Sequence, residues 1–140
     1  MAKKILIVDD DADLRRTLRL LLTPEFEVVE AGDGRQALAA LQKELPALAL
    51  VDVSMPEMDG LQFMRESRDK RGGTIVVMLT GELDLEKAKA ALNDGAAAYV
   101  TKPCDQEYLR SEVRRLLGGE RKDQSGRPWR VAEGKPSAGE

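Results

Sequence analysis

The sequence predicts an α/β fold: a single doubly wound domain of five parallel strands, each followed by a helix. Three observations carry that expectation. First, short apolar runs stop abruptly at polar residues. Residues 5–8 end at Asp9-Asp10-Asp11, residues 48–51 at Asp52, residues 75–79 at Thr80, and residues 98–100 at Thr101-Lys102-Pro103. Runs this short, bounded by turn signals, read as buried strands of a parallel sheet. Second, the stretches between them carry apolar residues at helical spacing. Third, the two patterns alternate strictly, which implies helices on both faces of the sheet and right-handed crossovers.

The first helix shows Leu14, Leu18, Leu21 and Leu22 at i, i+4, i+7 and i+8 and stops at Thr23-Pro24, with Asp11 or Asp13 as its cap and Asp11 preferred. Residues 25–30, with Phe26, Val28 and Val29 among charged neighbours, form a weaker strand whose polarity places it at an edge. Gly32-Asp33-Gly34 opens a second helix with Leu38, Leu41 and Leu45 inward, stopped by Pro46. Asp59 is expected to cap a third helix with Leu61, Met64 and Phe63 inward. Leu85, Ala88, Ala91 and Leu92 mark a fourth, for which Gly95 suits a left-handed C-terminal cap. Leu109, Val113, Leu116 and Leu117 mark the fifth, ending at Gly118-Gly119. With the three richest runs central, the strand order is 2-1-3-4-5, and Asp9, Asp10 and Asp52 fall at the switch point between strands 1 and 3.

The 140 residues suit one domain with an ordinary core. That domain is expected over residues 1–117. Residues 118–140 change to Gly, Pro, Ser and charge without an apolar period, and read as a disordered tail, a docking motif around Trp129, or a linker. One cysteine and no histidine argue against disulfides, zinc sites and His-dependent triads. A net charge of −3 with no basic block argues against nucleic-acid contact. No run reaches the roughly 20 apolar residues of a membrane span, and Met1-Ala2-Lys3-Lys4 leads into a strand without a signal-peptide core, so a cytoplasmic location is expected.

Parallel strands put their carboxyl ends on one edge, so three carboxylates, a hydroxyl and an ammonium should converge there. Asp9 and Asp10 are adjacent, so one of them, or both if they lie in a loop, can face the pocket. Clustered carboxylates raise one another's pKa unless a cation intervenes. A hard divalent ion such as Mg²⁺, bound by one or two carboxylates plus a phosphate, answers that. A carboxylate beside a metal and Lys102 can attack phosphorus, and Thr80 can donate to a transferred phosphoryl oxygen.

Across residues 3–117 the chain resembles the receiver domain of two-component response regulators. The motifs that carry the resemblance are Val8-Asp9-Asp10-Asp11, the run from Val51-Asp52-Val53-Ser54 through Met55-Pro56-Glu57-Met58-Asp59-Gly60, Leu79-Thr80-Gly81-Glu82, and Tyr99-Val100-Thr101-Lys102-Pro103. The resemblance implies a flavodoxin-like fold and Asp52 as phosphoacceptor. It implies Asp9 and Asp10 as the acidic pair, with Asp10 the closer Mg²⁺ ligand, and Ser54 as a metal ligand through its backbone carbonyl. It implies Thr80 as the phosphoryl-sensing hydroxyl, Lys102 as the family's lysine, and Tyr99 as a switch aromatic that turns inward as Thr80 moves. The implied donor is a histidine kinase or histidine phosphotransfer protein. The implied output is an altered surface on helix 4, strand 5 and helix 5, which binds a downstream protein target or a second copy. Two departures stand out: Gly81 replaces the usual alanine, and Cys104, read as an apolar filler, follows Pro103 where a bulkier residue is common. Ser54 and Glu82 should line access to the site.

Two other functions compete with this one. An aspartyl-phosphate phosphatase of the haloacid-dehalogenase type needs a second aspartate two residues after the nucleophile, where this chain has Ser54. A phosphate-independent binding module would have no use for the complete pocket. Neither a P-loop nor a G-x-G-x-x-G supports nucleotide binding.

Overall fold

Five parallel strands form one sheet in the order β2-β1-β3-β4-β5, made of β1 (Lys4–Val8), β2 (Glu27–Ala31), β3 (Leu48–Asp52), β4 (Ile75–Thr80) and β5 (Ala98–Thr101). The helices between and after them are α1 (Ala12–Leu22), α2 (Gly34–Glu44), α3 (Gly60–Glu66), α4 (Leu85–Asn93) and α5 (Gln106–Leu117). This computed structural model describes residues 2–102 and 105–118. Pro103, Cys104, Trp129 and the expected tail beyond residue 118 lie outside the described residues. The architecture is the α/β fold and strand order expected from the sequence.

Strand alternation sorts the core into two layers. Leu6, Val8, Ala49, Val51, Val76 and Met78 pack with Ala37, Leu41, Phe63, Met64, Ala88 and Ala91, which belong to α2, α3 and α4. Ile5, Ile7, Leu48, Leu50, Val77 and Val100 pack on the opposite face with Leu18, Leu22, Leu109, Val113 and Leu116 of α1 and α5. Burying a side chain of Leu, Ile or Phe size stabilises by roughly 2 kcal/mol, which is why both faces of the three central strands are apolar.

The helix ends follow from local chemistry. Asp11 caps α1, its carboxylate accepting from the Asp13 and Leu14 amides at 2.9 and 3.2 Å. Asp33, Asp59 and Asp105 do the same for α2, α3 and α5. Each such cap is worth about 1 kcal/mol. At the end of α4 the amide of Gly95 bonds the Leu92 carbonyl and that of Ala96 bonds the Ala91 carbonyl. That paired closure needs a positive φ, here +109° at Gly95.

Several sequence expectations need correction. Leu45 is no core residue: it caps α2 in the left-handed region (φ 49°) and is 75% exposed, while Ala37 takes the inward place. Leu14, Leu38, Leu61, Leu85, Leu92 and Leu117 are half-buried at the layer margins. β2 begins two residues later than expected and runs to Ala31, because its register is set by pairing Lys4 with Glu27 and Val8 with Ala31. A short 3-10 turn at Glu82–Asp84 precedes α4 and leaves Leu83 fully exposed.

Candidate functional site at the carboxyl edge of the sheet

Sheet register brings the polar run-ends together. Val8 pairs with Val51, so Asp9 follows opposite Asp52; Asp52 pairs with Leu79, which leads into Thr80; and Thr80 pairs with Thr101, just before Lys102. Two backbone bonds hold these ends past the ladder, from the Val53 amide to the Leu79 carbonyl (2.9 Å) and from the Lys102 amide to the Thr80 carbonyl (2.7 Å).

Oxygens of Asp9, Asp10 and Asp52 lie within 4.8 Å of one another. Both members of the acidic pair thus face the pocket, Asp9 buried and Asp10 exposed. Lys102 places its Nζ 3.3 Å from Asp52 Oδ1 and 3.6 Å from Asp9 Oδ2. Asp9 Oδ1 accepts from the Asp11 amide at 2.9 Å, whereas Oδ2 is buried without a hydrogen bond. Asp52 Oδ1 also accepts from the Ser54 amide at 3.2 Å, while the Ser54 side chain is exposed. Thr80 is fully buried, and its hydroxyl donates to the Gly81 carbonyl at 2.9 Å. Around Gly81 the space is open: a Cβ at that position would meet no atom within 4 Å, and Glu82 is exposed beside it.

Electrostatics describe a site short of positive charge. Burial pushes the Asp9 carboxyl above the ordinary aspartate range; the Asp11 amide opposes this and Asp52 adds to it. Burial likewise raises Asp52, against Lys102 and the Ser54 amide. For Lys102 burial acts to lower the ammonium, but Asp52 and Asp9 outweigh it and hold its pKa above the ordinary lysine value. One ammonium therefore does not balance three carboxylates. An all-oxygen donor set with a buried carboxylate oxygen that makes no hydrogen bond fits a hard divalent cation, Mg²⁺ in particular.

The loop after Asp52 is held by close packing. Its Pro56 carbonyl accepts from the Met58 amide at 2.7 Å across Glu57, whose φ is +70°. Met58 then packs on Gly34 of α2. Gly60 sits so near the end of β3 that a Cβ there would lie 2.9 Å from both Val53 Cα and Met78 Sδ. Its amide bonds the Val53 carbonyl at 2.7 Å. Gly60→Ala should therefore cost about 2 kcal/mol in urea unfolding, because the obstructing backbone cannot step aside. An unchanged midpoint would contradict this reading of the contact.

Tyr99 already points inward, 2% exposed, in the layer with α4. The inward orientation that the resemblance ties to a moved Thr80 is thus present here while the Thr80 hydroxyl still donates to the Gly81 carbonyl. The sequence reading missed Arg15, whose guanidinium donates to the Asp9 carbonyl at 2.6 Å. Its only signal was position, one helical turn after Asp11.

An open α/β sheet with an acid cluster, a lysine and a hydroxyl on its carboxyl edge is also the arrangement found by comparison with one class of known proteins, the receiver domains of response regulators. The family model described as the response regulator receiver domain matches residues 5–114. The chain belongs to that family, the receiver domains of two-component response regulators. It is 40% identical over 116 residues to a probable transcriptional regulator, ycf27, of Cyanophora paradoxa, covering 82% of this chain and 48% of that protein. It is 38% identical over 118 residues to the DNA-binding response regulator MtrA of Mycolicibacterium paratuberculosis, covering 84% and 52%. Among solved structures, a CheY-like response regulator receiver domain protein from Methanospirillum hungatei superimposes with a TM-score of 0.80 at 33% identity, covering 86% of this chain and 97% of that one. The chain spans about half the length of these curated relatives. Among the described residues, no helix is long and apolar enough to cross a membrane.

Proposed function

We propose that this domain is a phosphoacceptor switch. Asp52 takes a phosphoryl group from a phosphohistidine on a histidine kinase or histidine phosphotransfer protein, in the cytoplasm. The observation that carries the reading is the convergence of Asp9, Asp10 and Asp52 on Lys102. In the transfer, an Asp52 carboxylate oxygen forms the new P–O bond as the donor's P–N bond breaks. The imidazole leaves with the electron pair and is protonated from solvent. Residues Asp9, Asp10, Asp52 and the Ser54 carbonyl would hold Mg²⁺, which when bound neutralises charge on the phosphoryl oxygens. Lys102, already against Asp52, supplies a second positive charge to those oxygens. Thr80 exchanges its Gly81 acceptor for a phosphoryl oxygen, which draws the loop carrying the exposed Leu83 toward the site.

Donor access is supported by a groove of about 410 Å³ between α1 and α5, lined by Leu14, Leu18, Leu109 and Lys102 among others, which opens beside the site. The output surface is α4, β5 and α5, where Tyr99 couples the site to a downstream protein or to a second copy of this chain. Shifting such a switch from 1:99 to 99:1 requires about 5.5 kcal/mol of preference for the active form.

Intact-mass measurement after incubation with a small phosphodonor tests the reading. One phosphoryl group should be added with Mg²⁺ present and none with a chelator. An unmodified mass in both conditions would sink it.

A further inference from the structure

The peptide that joins Asp9 to Asp10 is held at its carbonyl, and the peptide before it at its amide. That amide, on Asp9, donates to the Ala31 carbonyl of β2 at 3.1 Å. The carbonyl, also on Asp9, accepts from the Arg15 guanidinium at 2.6 Å. Arg15 is itself fixed: its Nε donates to Glu30 Oε1 at 2.9 Å, and the other Glu30 oxygen accepts from Arg19 Nε at 2.6 Å. The Arg19 and Arg15 hydrogen bonds hold the Glu30 carboxyl below the usual range, so the anchor is ionised wherever the protein is folded near neutral pH. The Arg15 side chain is 19% exposed and lies over Gly32, where a Cβ would stand 3.5 Å from it.

The plane of the Asp9–Asp10 peptide sets where the Asp10 Cα lies, and hence where its exposed carboxylate can reach. We infer that Arg15, braced by Glu30, is a positioning residue that orients the acidic pair for divalent-metal binding. This rests on the receiver reading of the site. Groups that orient metal ligands from behind typically matter 10- to 100-fold in metal affinity.

The sign of the effect separates positioning from plain electrostatics. Removing a cation near three carboxylates should by Coulomb's law tighten Mg²⁺ binding, whereas loss of orientation weakens it. The test is a Mg²⁺ titration of the full chain, without phosphodonor, followed by amide chemical shifts in NMR, for wild type, Arg15→Met and Arg15→Lys. Arg15→Met should bind Mg²⁺ about 10-fold more weakly, with phosphoryl uptake restored at saturating Mg²⁺. Arg15→Lys keeps the charge but can reach only one of the two acceptors, so its affinity should fall between the two. Unchanged or tighter Mg²⁺ binding in Arg15→Met, with any loss confined to its melting temperature, overturns the inference. If Arg15→Met does not fold, Arg15→Lys decides alone: weaker binding supports the inference and wild-type affinity overturns it. Wild-type protein that binds no Mg²⁺ and takes up no phosphoryl group overturns the receiver reading and this inference together; wild-type binding with unaffected variants overturns only this one.

Discussion

Asp52→Asn should take up no phosphoryl group from any donor and yet, without metal, melt at a higher temperature than wild type at neutral pH. Chemistry accounts for the first half. An amide oxygen lacks the carboxylate's charge and nucleophilicity, and Asp9, one of the two neighbouring carboxylates, is buried with one oxygen held by the Asp11 amide. Linkage accounts for the second. Burial raises the folded Asp52 carboxyl above its ordinary value, so between the two values the native state binds more protons than the unfolded one, and stability falls as pH rises through that window. Asparagine removes the charge while retaining an oxygen for the Ser54 amide. Its advantage should fade as pH drops toward the ordinary aspartate value of 3.8. Intact mass and melting curves over pH check both halves. Residual labelling of the variant, or lower stability across the range, would count against the assigned role and the electrostatics respectively.

Lys102→Met should act in the opposite direction on stability. It leaves Asp52 and Asp9 without the ammonium now 3.3 and 3.6 Å away. Breaking a buried pair costs about 3–5 kcal/mol. Because the lysine side chain is 30% exposed, solvent screening reduces the expected cost to about 2 kcal/mol. The wild-type lysine has a raised folded pKa, so its contribution is complete below the ordinary value of 10.5 and disappears only as pH rises through the folded one. In the variant, both carboxyls rise further, so stability should recover as acid protonates them. Urea unfolding at neutral and mildly acidic pH measures that recovery. Phosphoryl uptake should persist but slow about 100-fold, the usual loss for one charge-stabilising donor at a reacting centre. A variant as stable as wild type at neutral pH would show that the lysine does not balance this site.

Much of this was legible in the sequence because the relevant physics is periodic or local. Runs of branched apolar residues ending at Asp9, Asp52, Thr80 and Lys102 set the strands and their common edge. Asp11 and Asp59 could be read as caps because an aspartate just before a helical period has one favourable use. What escaped depended on tertiary detail. Leu45 fits the helical period of α2, yet the chain turns left-handed there before Pro46 and leaves it in solvent. Glu112 sits on α5 with the look of a solvated residue but is 4% exposed, and its burial raises its pKa against the pull of Arg115. The orientation of Tyr99 is a rotamer choice, which no sequence pattern specifies. Arg15 looked like any charged residue on an amphipathic helix; only the path of the β1–α1 connection shows it reaching the Asp9 carbonyl.

Chemical trapping tests most directly the claim that Asp52 carries the phosphoryl group. After incubation with a small phosphodonor and Mg²⁺, hydride reduction converts an acyl phosphate to a primary alcohol, and peptide mass spectrometry locates it. The account predicts that alcohol at Asp52 alone. Reduction at Asp9 or Asp10, or phosphate found instead as a stable ester on Ser54 or Thr80, would contradict it.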